Sequence, residues 1–137
     1  MIQMNKFRST ILAVALFAGG AGQPALALDN PLIVDLQTVK NAQSEASATI
    51  FGSGSNVLVN VTVRGGGVPK AAAITLNDGS CAKPGDIAFA LSGLSDNQSL
   101  TKLDHSLTDV AGKAKSLVIH QTSNLTSPAY ACGKVTG

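Results

Sequence analysis

The clearest structural signal in the chain is the stretch Val57-Leu58-Val59-Asn60-Val61-Thr62-Val63-Arg64. Valine occupies every second position, and the intervening positions are mostly polar. Because successive side chains of a β-strand point to opposite faces, this alternation predicts a strand with one face in the core and the other in solvent. The run Gly65-Gly66-Gly67 follows and is expected to end the strand.

Further stretches on both sides of this strand combine apolar or β-branched residues with turn residues at their ends. They are residues 32–40, 46–51, 71–76, 87–91, 99–107, 117–121 and 130–135. About eight short strands at roughly ten-residue spacing predict an all-β protein, an antiparallel Greek-key sandwich or barrel. A helix is expected only as a minor element near residues 104–115.

The start of the chain has the three parts of a secretory signal peptide. Lys6 and Arg8 form a basic start, an apolar stretch follows, and Ala25-Leu26-Ala27 has the small residues of a cleavage site. We expect residues 1–27 to be removed and residues 28–137 to form one exported domain, periplasmic or extracellular, in a bacterium. A retained anchor is the alternative, although the apolar stretch is far shorter than the roughly 20 residues that cross a bilayer.

Removal of the signal would also change the charge of the protein. The full chain has ten basic and eight acidic residues, and the signal carries two of the basic ones, so the mature domain would have no net charge. Arg64 would be its single arginine, and it would have no cluster of basic residues. Because such clusters bind nucleic acid and anionic membranes, we expect neither as a partner.

Cys81 and Cys132 are the only cysteines of the chain, and both belong to the predicted mature domain. In an exported protein, two cysteines favour one disulfide bond. Closing a loop of about 50 residues would constrain the unfolded chain by roughly 4 kcal/mol. A thiolate metal site or a redox pair is the alternative, although the sequence has no CxxC spacing and no histidine cluster beside either cysteine.

Three segments occur along the chain in a fixed order: Ile74-Thr75-Leu76-Asn77-Asp78-Gly79-Ser80-Cys81, then Leu117-Val118-Ile119-His120, then Ala131-Cys132-Gly133. Their order and strand context resemble those of the copper-zinc superoxide dismutase family, in which HxHE-x-G-x-C, VVH and ACG motifs carry copper ligands and a disulfide. The resemblance covers the mature chain. It implies a superoxide dismutase-like β-sandwich with a bond between Cys81 and Cys132.

The same resemblance implies that most of the family's metal ligands are missing. It places His120 at the late copper histidine, and Ile74 and Leu76 at the two early ones, where their apolar side chains cannot ligate copper. Between the first cysteine and His120 lie 38 residues with one histidine, His105, and no set of zinc ligands. The arginine that steers superoxide in the family aligns with Ala129.

We therefore expect a non-catalytic domain that serves as a structural or binding module without a cofactor. The alternative is a metal-handling protein that binds copper or zinc weakly through His120, with His105 as a second ligand. A residual superoxide dismutase is the least favoured interpretation. As partners, the sequence leaves a protein of unknown identity or, by analogy with the fold alone, a second copy of the chain.

Overall fold

The computed structural model describes residues 31–39 and 42–135. The strands in these ranges are β1 (Leu32–Thr38), β2 (Ser44–Ser53), β3 (Asn56–Gly65), β4 (Ile74–Asn77), β5 (Ile87–Leu91), β6 (Gln98–Leu103), β7 (Ser116–His120) and β8 (Ala129–Lys134). Helix α1 (Leu107–Lys113) lies between β6 and β7. The predicted all-β class, the number of strands and the minor helix are confirmed, whereas the predicted signal peptide lies outside the described residues.

The strands pair antiparallel in the order β5-β4-β7-β8-β1-β2-β3-β6. This order divides into two half-sheets, β1-β2-β3-β6 and β5-β4-β7-β8, which are joined where the end of β1 pairs with β8. On the opposite side, Ser92 after β5 bonds to β6: its N–H donates to Thr101 Oγ1 at 2.9 Å and its carbonyl accepts from Ser99 Oγ at 2.6 Å. The sheet is therefore a nearly closed barrel.

The core lies between the two half-sheets. β3 contributes four alternating valines to the core, each at most 2% exposed: Val57, Val59, Val61 and Val63. The residues between these valines are exposed or partly exposed. The half-buried strand predicted from the alternation is thus confirmed. Burial of each such aliphatic side chain stabilises the fold by about 1.5–3 kcal/mol relative to its exposure.

β4 and β7 differ from β3 because both of their faces are buried. Their inner side chains belong to the core: Ile74, Leu76, Leu117 and Ile119. Two connecting segments reach over the outer face. The β4–β5 segment (residues 78–86) brings the carbonyl of Gly85 to Asn77, and the β7–β8 segment (residues 121–128) brings the carbonyl of Ser127 to His120.

A disulfide bond fastens the β4–β5 segment to β8. It joins Cys81 to Cys132 across 51 residues of sequence, which confirms the predicted pairing. Within the segment, the backbone N–H of Asp86 donates to Asp78 Oδ1 at 2.9 Å and closes a turn. The disulfide and the turn together hold this segment over the outer face of β4.

Helix α1 begins after Ser106, whose hydroxyl accepts a hydrogen bond from the backbone N–H of Asp109. The strand predicted over residues 99–107 ends earlier, at Leu103, because the chain then turns toward the cap at Ser106 and the helix that begins at Leu107. Val110 anchors the helix in the core. No helix among the described residues is long and apolar enough to span a membrane.

Replacement of Gly112 by alanine is expected to stabilise the protein by roughly 0.5–1 kcal/mol, measured by urea unfolding, because glycine loses more backbone entropy in a helix. An added Cβ at Gly112 has no heavy atom within 4 Å. Gly133→Ala is the contrast, since its Cβ would lie 2.5 Å from the carbonyl oxygen of Asp35 in the neighbouring strand, and it should destabilise the protein. A destabilised Gly112→Ala protein would contradict the helical assignment.

Candidate functional site

A buried histidine lies on the outer face of β4 and β7. His120 is the last residue of β7 and is 7% exposed. Its backbone N–H donates to the carbonyl of Ala73 at 2.8 Å, which holds the end of β7 against the start of β4. Its Nδ1 lies 2.8 Å from the carbonyl oxygen of Ser127, and its Nε2 lies 2.9 Å from Oγ1 of Thr75. Both ring nitrogens are therefore hydrogen-bonded to the protein.

The hydrogen-bond partners restrict where the protons lie. A carbonyl oxygen only accepts, so Nδ1 of His120 carries a proton and donates it to Ser127. Oγ1 of Thr75 also lies 2.6 Å from Oδ1 of Asn77, but a hydroxyl has a single proton to donate. If it donates to Asn77, Nε2 of His120 must itself donate to Thr75; if it donates to Nε2, the lone pair of that nitrogen is taken up and the Asn77 amide is turned over. In both arrangements the ring has no uncommitted lone pair.

A cleft of about 440 Å³ opens beside this polar chain, and we call it the His120 cleft. Its walls come from the β4–β5 and β7–β8 segments. Asn77 and His120 contribute polar groups, whereas Ile87 and Leu125 are 39% and 42% exposed and contribute apolar surface. The cleft thus combines hydrogen-bonding groups with apolar side chains, the mixture from which most ligand sites are built.

The β7–β8 segment owes its shape to hydrogen bonds within itself. Oδ1 of Asn124 accepts from the backbone N–H and from the hydroxyl of Thr126, both at 2.8 Å. The hydroxyl of Ser127 donates to the carbonyl of Asn124 at 2.7 Å. These bonds fix the Ser127 carbonyl in the place where it accepts the proton of His120.

The structure places Thr75 against His120 and links Asn77 to the ring through Thr75, whereas Ile74 and Leu76 lie on the other face of β4. Ile74 and Leu76 have no exposed surface and pack in the core. Because side chains alternate along a strand, residues 75 and 77 occupy the opposite, outer face. The family resemblance placed Ile74 and Leu76 at the two early copper-histidine positions, and in the structure these two side chains lie in the core. Thr75, Asn77 and Ser127 are not among the site residues predicted from the sequence.

The groups around His120 do not fit the copper that the family resemblance implies. They are one imidazole, a hydroxyl, a side-chain amide and a backbone carbonyl, whereas copper sites in proteins rely on several imidazole or sulfur ligands. In residues 31–39 and 42–135, no group of three or more His, Cys, Asp or Glu side chains is arranged to hold a metal ion. Ala129, aligned with the steering arginine, pairs with His120 across β7 and β8 and carries only a methyl group.

His105 belongs to a separate group of side chains. Its Nδ1 lies 2.7 Å from Oδ2 of Asp109, and its ring packs edge-on against Phe89 with 5.0 Å between ring centroids. The hydrogen bond from His105 lowers the pKa of Asp109 below its ordinary value, and Lys113, 3.4 Å from the other carboxylate oxygen, acts in the same direction. His105 and His120 have no hydrogen-bond partner in common, so the structure does not combine them into one ligand set.

Comparison of the chain with protein-family models, with curated proteins and with solved structures finds no match. The fold and the site therefore define the class of protein: an all-β, disulfide-bonded, barrel-like domain with a buried polar chain beside an open cleft.

Proposed function

We propose that this chain is an exported, non-catalytic domain of the superoxide dismutase-like Greek-key type, and that it acts as a binding module through the His120 cleft. In this proposal His120 is a structural residue that holds the cleft together. The observation that carries the proposal is the engagement of both of its ring nitrogens, by Thr75 on β4 and by Ser127 on the β7–β8 segment.

The strand order supports the Greek-key part of the proposal. Closing the gap between β5 and β6 gives the cyclic order β1-β2-β3-β6-β5-β4-β7-β8. In this order β4, β5 and β6 follow one another, and β3, which precedes them across the connection of residues 66–73, lies beside β6. Three successive strands with a fourth that lies beside one end of the set is the arrangement of a Greek key.

A catalytic or ligating histidine needs a free ring nitrogen, and here each nitrogen has a protein partner. A metal at Nε2 would have to displace Thr75, and a metal at Nδ1 would have to displace Ser127. Displacement of Thr75, which has no exposed surface, leaves its buried hydroxyl without this hydrogen bond, at a cost of about 1–3 kcal/mol, and displacement of Ser127 breaks the bond that ties the β7–β8 segment to His120. This cost favours the binding module over the metal-handling protein and over a residual dismutase, which would need further imidazoles as well.

Purified protein titrated with Cu(II) or Zn(II) is expected to retain no stoichiometric metal after dialysis, and to show no superoxide dismutation above the buffer rate. The His120→Ala variant should lose about 1–3 kcal/mol of stability in urea unfolding, because Thr75 and Ser127 lose their partner. His105→Ala is the matched control, since His105 is half-exposed and its loss should change stability by less than about 1 kcal/mol.

The opposite result identifies the metal-handling alternative. If the parent protein binds one equivalent of copper and His120→Ala abolishes that binding, His120 is a ligand and the proposal is wrong. Copper binding accompanied by dismutation of superoxide would establish the residual enzyme instead.

A further inference from the structure

The outer face of the half-sheet β1-β2-β3-β6 carries one exposed apolar side chain on each strand. Ile33 is 61% exposed, Phe51 43%, Leu58 40% and Leu100 64%. This face is separate from the His120 cleft, which lies on β4 and β7 of the other half-sheet. An apolar surface shared by four strands is a feature that the proposed function does not use.

The strand register makes these side chains one patch. Thr49 on β2 pairs with Ile33, and Asn60 on β3 pairs with Leu100, so a row across the sheet has apolar residues at both ends and polar residues in the middle. The next row on the same face joins Phe51 directly to Leu58. Opposite residues in a sheet have Cβ atoms about 5 Å apart, and neighbouring rows on one face are about 7 Å apart. Ile33 is therefore a diagonal neighbour of Phe51, and Leu100 is a diagonal neighbour of Leu58.

On the same face, the residue types on β2 match those on β3 across the line between the two strands. Each pair across this line joins residues that complement or resemble each other: Glu45 with Arg64, Ser47 with Thr62, Thr49 with Asn60, and Phe51 with Leu58. The outermost apolar residues, one on β1 and one on β6, lie in the same row on opposite sides of this line. On β2 and β3, the residues on one side of the line are therefore partners for the residues on the other side.

We propose that this face binds a second copy of the chain about a two-fold axis that lies in the interface and runs parallel to the strands, between β2 and β3. Such an axis places β2 of one copy on β3 of the other, as in an isologous dimer. Phe51 then faces Leu58 of the second copy, and Ile33 faces Leu100. Packing two sheets with their strands nearly aligned is a common arrangement of β-proteins.

Opposite charges then meet at one end of the interface. Glu45 of each copy faces Arg64 of the other, so the contact contains two ion pairs related by the axis. Both side chains are exposed in the single chain and lie at the end of the face away from Phe51 and Leu58. The two other charged residues of this face lie on its outer strands: Asp35 of one copy faces Gln98 of the other, and Lys102 lies beside Leu58 at the edge of the contact.

The size of the face is sufficient for a weak dimer. Four strands about 4.8 Å apart and roughly eight residues long, at about 3.3 Å per residue, give roughly 500 Å² per copy. Because the outer face of a barrel is convex, the dimer would bury less than this flat area, under about 1,000 Å² in total, which is the size of weak, transient protein interfaces. We therefore expect an equilibrium between monomer and dimer that depends on protein concentration.

Sedimentation equilibrium of the purified, oxidised protein from about 10 μM to 1 mM should show a mass that rises toward that of a dimer. Glu45→Arg places like charges opposite each other in the homodimer, and so does Arg64→Glu. Each variant alone should therefore dimerise at least about tenfold more weakly. An equimolar mixture of the two variants should regain dimerisation, because in the mixed dimer every facing pair has opposite charges.

The mixture separates an effect on the interface from an effect on the single chain, since each variant disturbs its own Glu45–Arg64 pair whether alone or mixed. Leu100→Ser should also weaken dimerisation, whereas Leu125→Ser, an exposed apolar residue at the His120 cleft, should leave it unchanged. A monomeric mass at every concentration overturns the proposal. A dimer that none of Glu45→Arg, Arg64→Glu and Leu100→Ser weakens overturns the assignment of this face.

Discussion

Loss of the disulfide bond in a Cys81→Ala/Cys132→Ala variant is expected to lower the free energy of unfolding by about 4 kcal/mol. The bond closes a loop across 51 residues, and the entropy of the unfolded chain rises when so long a loop is opened. A domain of this size has a free energy of unfolding of about 5–15 kcal/mol, so the variant should be only marginally stable. Urea unfolding of parent and variant under oxidising conditions measures the difference.

Reductant provides the control for this prediction. When the disulfide is reduced, the urea midpoint of the parent protein should fall to that of the variant, whereas the midpoint of the variant should not change with reductant. The local effect should be greatest in the β4–β5 segment, because Cys81 ties it to β8, and hydrogen exchange of the Asp86 amide should accelerate in the variant. Equal midpoints for oxidised and reduced parent protein would show that the bond does not stabilise the fold.

The half-sheet β1-β2-β3-β6 could be predicted from local sequence because only its inner face is buried. In β3 the valines alternate with mostly polar residues, so the period of the strand and the buried face can both be read directly. The disulfide could be predicted for a different reason: Cys81 and Cys132 are the only cysteines, which leaves a single pairing.

The side chains around His120 could not be assigned in the same way. Ile74 and Leu76 alternate with Thr75 and Asn77, which indicates two faces of the strand. All four residues are buried, so burial alone does not distinguish the core face from the outer face that the connecting segments cover. The covering residues come from connecting segments whose paths depend on local hydrogen bonds and on the disulfide. A motif comparison that assigns one position at a time does not use this alternation, and it selected the core face of β4.

A Thr75→His/Asn77→His variant is expected to bind one equivalent of Cu(II), which the parent protein should not do. Both positions lie on the outer face of β4, and Thr75 Oγ1 contacts both His120 and Asn77. Three imidazoles would then converge where the parent has one. The metal-free variant should be less stable by about 1–3 kcal/mol, because an imidazole is larger than the buried Thr75 side chain. Thermal unfolding with and without Cu(II) measures the effect, since free metal at 100 times the dissociation constant stabilises by about 2.7 kcal/mol.

The matched control is Ile74→His/Leu76→His, which adds the same two imidazoles one residue away on the same strand. These positions point into the core, where each substitution replaces a buried aliphatic side chain by a polar ring without a partner and should cost about 2–5 kcal/mol. The costs of the two substitutions together approach the whole free energy of unfolding of the domain, so this variant should not fold, with or without copper. If it folded and bound copper while Thr75→His/Asn77→His did not, the register of β4 against β7 would be wrong by one residue, and His120 would face the positions that the motif comparison assigned.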